Sequence, residues 1–532
     1  MDKQLDVLLI PQSTVTSLSL SNPMRLTDNN QVVTVQKARQ LCFPDQSPAE
    51  TDASSWESCP TLNEAVLESM LLAAGFRCES IRDTAAEQDA LHAALLRNPA
   101  VVCISTTFIC SKSHLEKLIA KIRGINSTAV IVVGGPLVTL SYNIFRMVDI
   151  DPDIMKRIVS TYLFADDTVF ADAYVYDPVY RGEEKLLQIT QAILDGMPLE
   201  DIDGVICRRG GVFFFNVTDV VPAYRTPPQI DWRLLPQAYF STGVIPLQAS
   251  VGCPYACNFC NFPKNARTAG VKSDEDIVDE LVHIHGRGAR FAWFVDDNFR
   301  LGMKDLDRFL AGLVQRNPGV QWMSLMRADL LMNTDLNLLR ESGCREVCLG
   351  LESADNQILK NMNKKASAEM YADVVARLLD SGINCSVYFI IGFPGETVDS
   401  VDRTLTFLQA MEQRQTKAHL FWSIFPFMLM PGSPVFSPAF RGRFALEGAL
   451  SRWKHATMDS ETAHNHTLRL FGELKESGPV YRGDDLDLLD RLGFDRCREF
   501  YTIRQFLARK ALHGDHPDRQ EIADSFKHLF SK

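Results

Sequence analysis

The sequence predicts an α/β protein: a Rossmann-like parallel sheet, then a partial (β/α)6 barrel, then a mostly helical C-terminal region. Three observations carry that prediction. Short apolar runs alternate with segments of helical periodicity in the first 200 residues. The same alternation resumes near residue 241 and yields six successive strand–helix units. From about residue 437 the chain turns charged and helical. Strand–helix–strand alternation implies parallel sheets with ligands at the carboxyl ends of the strands. The expected boundaries are 1–200 for the first domain, 201–240 for a connector, 241–436 for the barrel and 437–532 for a helical substrate or capping region.

In the first part, Asp6–Ile10, Ala100–Ser105 and Ala129–Val133 read as buried strands, because each is a short apolar run closed by a loop signal. Thr61–Ala74 and Lys112–Arg123 have helical spacing between them. Residues 201–240 carry Gly210-Gly211 and Pro227-Pro228, which punctuate a connector. In the second part the strand-like pieces are Ile245–Ser250, Phe291–Val295, Trp322–Leu325, Glu346–Leu349, Ser386–Ile391 and His419–Phe425. Helical patterns at 274–285, 304–316 and 367–381 lie between them, and a barrel built this way has its active site at the strand C-termini.

A chain of 532 residues is too long for one ordinary domain. Its 46% hydrophobic and 23% charged residues fit a soluble protein with sizeable cores. The net charge of −11 argues against a nucleic-acid surface, which is usually basic. No apolar run reaches membrane-spanning length, and the N-terminus lacks a secretory pattern. The expectation is therefore a cytoplasmic protein with no membrane and no nucleic-acid partner. Its thirteen cysteines are then thiols or metal ligands rather than disulfides.

The sharpest feature is Cys253-Pro254-Tyr255-Ala256-Cys257-Asn258-Phe259-Cys260. Three thiolates at spacings of four and three can surround one metal centre, and soft sulfur ligands select iron–sulfur clusters or zinc. A structural zinc site normally takes a fourth Cys or His at fixed spacing, and none lies close. Three ligands in a loop after a strand suggest a cluster with one iron left open. CxxxCxxC with an aromatic before the last cysteine resembles the signature of the radical S-adenosylmethionine (SAM) superfamily. The resemblance implies that Cys253, Cys257 and Cys260 hold a [4Fe–4S] cluster whose open iron chelates SAM, which an electron cleaves to a 5′-deoxyadenosyl radical.

Further segments fit the same family in order. Asp296-Asp297-Asn298 ends the second barrel strand, where the family has a Gly-Gly-Glu-like element at the SAM amino group. The Asp-Asp-Asn variant resembles the cobalamin-dependent branch. Arg327 follows the third strand, and its guanidinium fork suits the SAM carboxylate or, alternatively, an ion pair. Glu352 and Ser353 resemble the fourth-strand element at the ribose, and Phe259 belongs to the cysteine loop beside SAM. Ile390–Thr397 resembles the fifth-strand element beside the adenine, with Gly392 and Pro394 as contacts and Gly392 and Gly395 allowing close backbone approach.

Upstream, Ser105-Thr106-Thr107 after one strand and Gly134-Gly135-Pro136 after the next resemble the turns of cobalamin (B12) binding domains. There a hydroxyl-bearing turn and a Gly-Gly turn line the groove for the nucleotide tail. Arg181-Gly182-Glu183 and Ile230-Asp231-Trp232 follow in the family's order. The Asp-x-His-x-x-Gly motif that supplies a histidine to cobalt is absent, and Pro11–Leu18 offers no histidine.

The family resemblance implies a methyltransferase. Cobalamin takes a methyl group from one SAM, the cluster cleaves another, and methylcobalamin delivers the methyl to an unactivated carbon of a small molecule or peptide in secondary metabolism. The cofactors carry that chemistry, and no side chain is assigned an acid–base role. An electron donor such as flavodoxin or ferredoxin is implied, and a monomer or weak dimer is expected. Tyr481, Arg482, Tyr501 and Arg504 in the C-terminal region are expected to close the barrel mouth. Three rivals remain open: a cyclase or rearrangement enzyme of the same architecture, a methylthiotransferase acting on RNA, and a non-enzymatic metal-binding module. The second normally carries upstream cluster cysteines, and Cys103 and Cys110 lack that spacing.

Overall fold

The computed structural model describes residues 5–12, 24–29, 31–44, 59–109, 111–147, 158, 162–165, 171–177, 182–209, 212–217, 226–261, 270–300, 305–481, 484 and 486–531. They form two compact units.

The first unit is built on strands β1 (Val7–Ile10), β2 (Cys78–Ser80), β3 (Val101–Ser105), β4 (Val130–Gly134), β5 (Ala173–Val175), β6 (Val205–Arg209) and β7 (Val212–Asn216). The order is β2-β1-β3-β4-β5-β6-β7, parallel through β5 and antiparallel thereafter. β1 and β3 are buried along their whole length because apolar clusters cover the sheet on both faces. The β2-β1-β3 order makes the carboxyl ends of β1 and β3 a topological switch point, the usual ligand crevice of a doubly wound sheet. Helix Leu62–Ala73 starts with a capping box formed by Thr61 and Glu64.

Two boundaries differ from expectation. Part of the 201–240 stretch is not a connector: β6 and β7 form a hairpin that extends the first sheet. Gly210, Gly211 and Arg181 lie outside the described residues. Residues 24–29 and 31–44, expected in the first domain, belong to the second unit. Leu26 donates its amide to the Tyr481 hydroxyl (2.9 Å), and Val35 donates to Asp484 (2.8 Å). Cys42 donates to the Ala523 carbonyl (3.2 Å). An apolar helical face announces that it will be buried, but it does not say against which segment.

The second unit holds strands β8 (Val244–Leu247), β9 (Phe291–Phe294), β10 (Gln321–Met326), β11 (Cys344–Glu352), β12 (Asn384–Ile391), β13 (Leu420–Pro426) and the short β14 (Gly478–Pro479). They pair in chain order and all in parallel. Along β10 to β13 one alternating set, including Trp322, Val347, Leu349, Val387, Phe389 and Trp422, is fully buried. The other set, including Met323, Leu325, Gly350, Tyr388, Ile390 and Ser423, keeps partial exposure, and Phe425 is half exposed. The period of two therefore separates a helix-covered face from an open lumen.

The C-terminal region is not all helical. A three-stranded antiparallel sheet, Glu447–Ala449, Arg452–His455 and Met458–Asp459, precedes helices Ser460–Glu473, Leu486–Leu512 and Arg519–Phe530. Nor do Tyr481, Tyr501 and Arg504 lie at the barrel mouth. They line a cavity of about 270 Å³ with Phe291, Glu346, Asn384 and Phe421. Those four stand at the N-terminal ends of their strands, so the long helix closes the barrel's opposite end. Arg482 lies outside the described residues. Among the described residues no helix is long and apolar enough to cross a membrane.

Candidate functional site

The cysteine loop leaves the barrel after β8. Gly252, at φ +96°, turns the chain into Cys253, and its amide donates to Asp297 Oδ2 (2.9 Å). The rest of the loop is tied from several sides. Asn258 donates its amide to the Met362 carbonyl (2.9 Å) and its side-chain amide to the Asn361 carbonyl (2.7 Å). Asn363 donates to the Ala256 carbonyl (2.7 Å), and the Val435 amide donates to the Asn258 carbonyl (2.9 Å). Tyr255 donates its hydroxyl to Asp329 (3.1 Å) and stacks under the Arg327 guanidinium at 3.6 Å. None of the three cysteines is in a disulfide, and all three are partly exposed. Burial pushes the Cys253 and Cys257 thiols up, while the Lys364 and Arg327 cations pull Cys257 the other way.

Of the acidic residues after β9, only Asp297 reaches the loop itself. Asp296 is buried and accepts hydrogen bonds from the Ala249 amide (3.2 Å) and from both the amide and hydroxyl of Ser250. Burial, opposed by those bonds, raises its carboxyl to about 7. Its partners make it a fastener for the β8 exit rather than a free ligand carboxylate. Asn298 is buried too, and its Oδ1 has no hydrogen-bond partner. A buried acceptor without a donor is costly in an empty protein and suits a ligand N–H.

Arg327 adopts the ion-pair alternative. Nε and Nη2 donate to Asp329 (2.9 and 3.3 Å), and Nη2 also donates to the Lys364 carbonyl (3.2 Å). Glu352, at φ +70° beside a register shift in β11, pairs with Lys364 (3.0 Å). Lys364 Nζ also lies 5.8 Å from the centre of the Phe259 ring. Ser353 accepts from the Asp355 amide (3.1 Å). The side chains expected at the SAM carboxylate and ribose thus brace one another around the cysteine loop.

The Gly392–Glu396 turn also differs from expectation. A Cβ on Gly392 (φ +95°) would meet Trp453 at 2.5 Å and Ala463 at 2.7 Å, and one on Gly395 would meet Asn361 at 2.7 Å. Neighbouring side chains therefore require these glycines by themselves. Pro394 offers its carbonyl to Asn361 (3.3 Å). Buried Glu396 accepts the Gly392 amide through one oxygen, and its Oε1 has no partner. Burial raises this carboxyl to about 8.

The residues fit the implied cluster and SAM. Three thiols share one braced loop at the strand C-termini, and two buried oxygens nearby, Asn298 Oδ1 and Glu396 Oε1, lack donors. Among the described residues no three His, Cys, Asp or Glu side chains converge on a single-ion site. A cubane cluster instead takes each thiolate on a different iron.

In the first unit, Thr106 donates its amide and hydroxyl to the Gly134 carbonyl (both 2.8 Å) and accepts from the Leu137 amide (3.1 Å). It staples the β3 exit to the Gly-Gly turn. Gly135 (φ +104°) has no room for a Cβ, which would sit 2.9 Å from Thr106 Oγ1. At Gly134 a Cβ would make only an ordinary 3.6 Å contact with Val175. Ser105 and Thr107 share a hydroxyl hydrogen bond (3.0 Å), with Asn63 donating to Ser105 (2.8 Å). Pro136 begins helix Pro136–Phe145. A strand-end turn with spare hydroxyl capacity and an open glycine fits a cobalamin tail. Of the loop after β1, only Pro11 and Gln12 lie within the described residues.

Sequence reading missed Asn361, Asn363, Lys364, Asp329, Trp453 and His455. Their positions carry no motif, and only the fold brings them to the loop and turn.

Comparison with known proteins agrees with this geometry. Residues 247–408 match the radical SAM superfamily model, and residues 53–151 match the B12 binding domain model. An uncharacterized methyltransferase of Pyrococcus horikoshii is 26% identical over 59% of this chain and 65% of its own length. Bacteriochlorophyllide d C-12(1)-methyltransferase of Chlorobaculum tepidum is 30% identical over 40% of this chain and 46% of its own. Anaerobic magnesium-protoporphyrin IX monomethyl ester cyclase of Rubrivivax gelatinosus is 26% identical over 48% and 49%. The chain thus spans about half to two thirds of these relatives. Among solved structures, the radical SAM methyltransferase TsrM of Kitasatospora setae, bound to tryptophan and a SAM analogue, has a TM-score of 0.59. That match covers 96% of this chain and 99% of TsrM at 17% identity. The cobalamin-dependent SAM radical enzyme OxsB also scores 0.59, over 99% of this chain and 75% of its own at 14% identity, so both show the shared fold. Residues 53–151 of this chain thus carry a B12 binding domain and residues 247–408 a radical SAM domain.

Proposed function

We propose that the protein is a cobalamin-dependent radical SAM methyltransferase that moves a methyl group from SAM, by way of cobalamin, to an unactivated carbon of a small molecule or peptide. The observation that carries this reading is the braced three-thiol loop at the barrel's C-terminal end, in a chain that also has a B12 binding fold. When bound, the cluster supplies the electron that cleaves SAM to a radical, and cobalamin supplies the methyl group.

The chain's own side chains bind and orient. Cys253, Cys257 and Cys260 hold the cluster, while Asp297 and the Asn361–Lys364 turn set the loop that presents them. Asn298 offers the unsatisfied oxygen to SAM, and the Gly392–Glu396 turn walls its adenine. Ser105, Thr107 and Gly134 line the cobalamin tail. The open lumen carries Leu325, Tyr388, Ile390 and Phe425 and favours a compact, largely apolar substrate. A secondary-metabolite substrate and a flavodoxin- or ferredoxin-like donor complete the proposal. The similarity to the Rubrivivax cyclase favours one alternative, ring formation without methyl transfer.

Anaerobic reconstitution with iron, sulfide and hydroxocobalamin, then reductive incubation with SAM, tests the reading. The expected outcome is retained cobalamin with release of 5′-deoxyadenosine, and S-adenosylhomocysteine once substrate is supplied. Cys257→Ala should lower 5′-deoxyadenosine release by at least about 100-fold, as removal of an essential group does. A cluster without cobalamin would remove the methyl-transfer mechanism. 5′-Deoxyadenosine without S-adenosylhomocysteine, during substrate turnover, would favour the cyclase.

A further inference from the structure

The three-stranded sheet 447–459 in the C-terminal region has no role in the function proposed above, yet its side chains hold the turn after β12. Trp453 donates Nε1–H to the Phe427 carbonyl (2.7 Å), which anchors its ring. The ring fills the space that a Gly392 side chain would need. His455 stacks parallel to Trp453, with centroids 5.3 Å apart and planes 2° from parallel. His455 Nε2 lies 3.1 Å from the Gly392 carbonyl, and a carbonyl can only accept, so Nε2 carries the proton. Thr457 donates its hydroxyl to the Glu396 carbonyl (2.6 Å) and lies 3.1 Å from His455 Nδ1. Both ends of the Gly392–Glu396 turn are thus held from one small sheet. Within the turn, the Gly392 amide donates to the Glu396 carboxyl group.

We infer that Trp453 and His455 are positioning residues for SAM: they set the Gly392–Glu396 turn so that its backbone meets the adenine side of the cofactor. The inference rests on the SAM site proposed above. Gly392 cannot be held by its own side chain, and at φ +95° it sits where backbone position is set by its neighbours. The Trp453 ring blocks one direction of movement, and the His455 N–H pulls from the carbonyl side. Neither side chain needs to touch SAM for its loss to loosen the turn.

The test uses the reconstituted enzyme and reads SAM affinity from the change in the reduced cluster's EPR signal, with iron and cobalamin content measured alongside. His455→Ala should weaken SAM binding about 10-fold, the scale of one lost hydrogen bond, with iron and cobalamin unchanged. His455→Gln, whose amide can again donate to the Gly392 carbonyl, should recover affinity to within about 3-fold of wild type. Trp453→Phe keeps a ring but loses the Phe427 anchor, and should weaken SAM about 3-fold, which covers the case of a His455→Ala protein that does not fold. Wild-type affinity in both His455→Ala and Trp453→Phe would overturn the inference. So would a His455→Gln protein as weak as His455→Ala. A wild-type enzyme that holds its cluster but binds no SAM would instead overturn the proposed function, and this inference with it.

Discussion

The two ends of the barrel are built from the same kinds of contact but to opposite purpose. At the N-terminal end a buried ion pair closes on itself. Arg504 donates to both Asp484 oxygens (2.9 Å each) and packs 3.4 Å from the Tyr481 ring centre, while Asp484 also takes the Val35 amide. At the C-terminal end the backbone of the cysteine loop is braced, the three thiols stay partly exposed, and the buried Asn298 Oδ1 and Glu396 Oε1 have no hydrogen-bond partner. One end uses polarity for stability and the other holds it in reserve, as expected of a barrel whose chemistry sits beyond its strand C-termini.

The largest break in that comparison should come from the stabilising end. Arg504→Ala leaves Asp484 buried without its cation, which typically costs about 3–5 kcal/mol. Denaturant unfolding should register that loss, while iron content per folded molecule stays at the wild-type level. A fall in iron with no loss of stability would show that the two ends are not separable. At the other end, Asp297→Ala removes the acceptor of the Gly252 amide, a bond to a charged group worth about 1.5–3 kcal/mol. Here stability should fall by less than in Arg504→Ala, and the cluster should be lost to a chelator several-fold faster.

The smallest effect is a pH dependence. The folded pKa of Glu396 is raised by burial to about 8, above its unfolded value, so the folded state holds the extra proton. Its contribution is present at low pH and is lost as pH rises through about 8. Glu396→Gln mimics the protonated acid, so its thermal unfolding midpoint should fall less than wild type's between about pH 6 and about pH 9. Parallel curves for the two proteins would show that Glu396 is ionised throughout.

Most of the barrel was legible because its strands are apolar runs bounded by turns, and the cysteine loop was legible because cluster ligands are crowded into eight residues. The short strands β2 and β5 escaped, since three residues carry too little pattern. So did the β6–β7 hairpin, whose glycine pair read as a linker. In the site, Asp296 was expected to face the ligand, and Arg327 to face it or form an ion pair; the structure gives each a protein partner. The prop formed by Trp453 and His455 had no signal at all, because its residues lie some sixty positions from the turn they support.

Local order along the chain determined the candidate cluster ligands, the motifs that carry the family resemblance and the strand–helix alternation, because thiol spacing and periodicity are properties of neighbouring residues. Tertiary structure alone decided which end of the barrel the C-terminal helix closes, and that residues 24–44 join the second unit. It alone decided which polar side chains are spent on bracing and which are left unpaired. Burial and hydrogen-bond saturation depend on partners far away in sequence, and those partners are known only once the chain has folded.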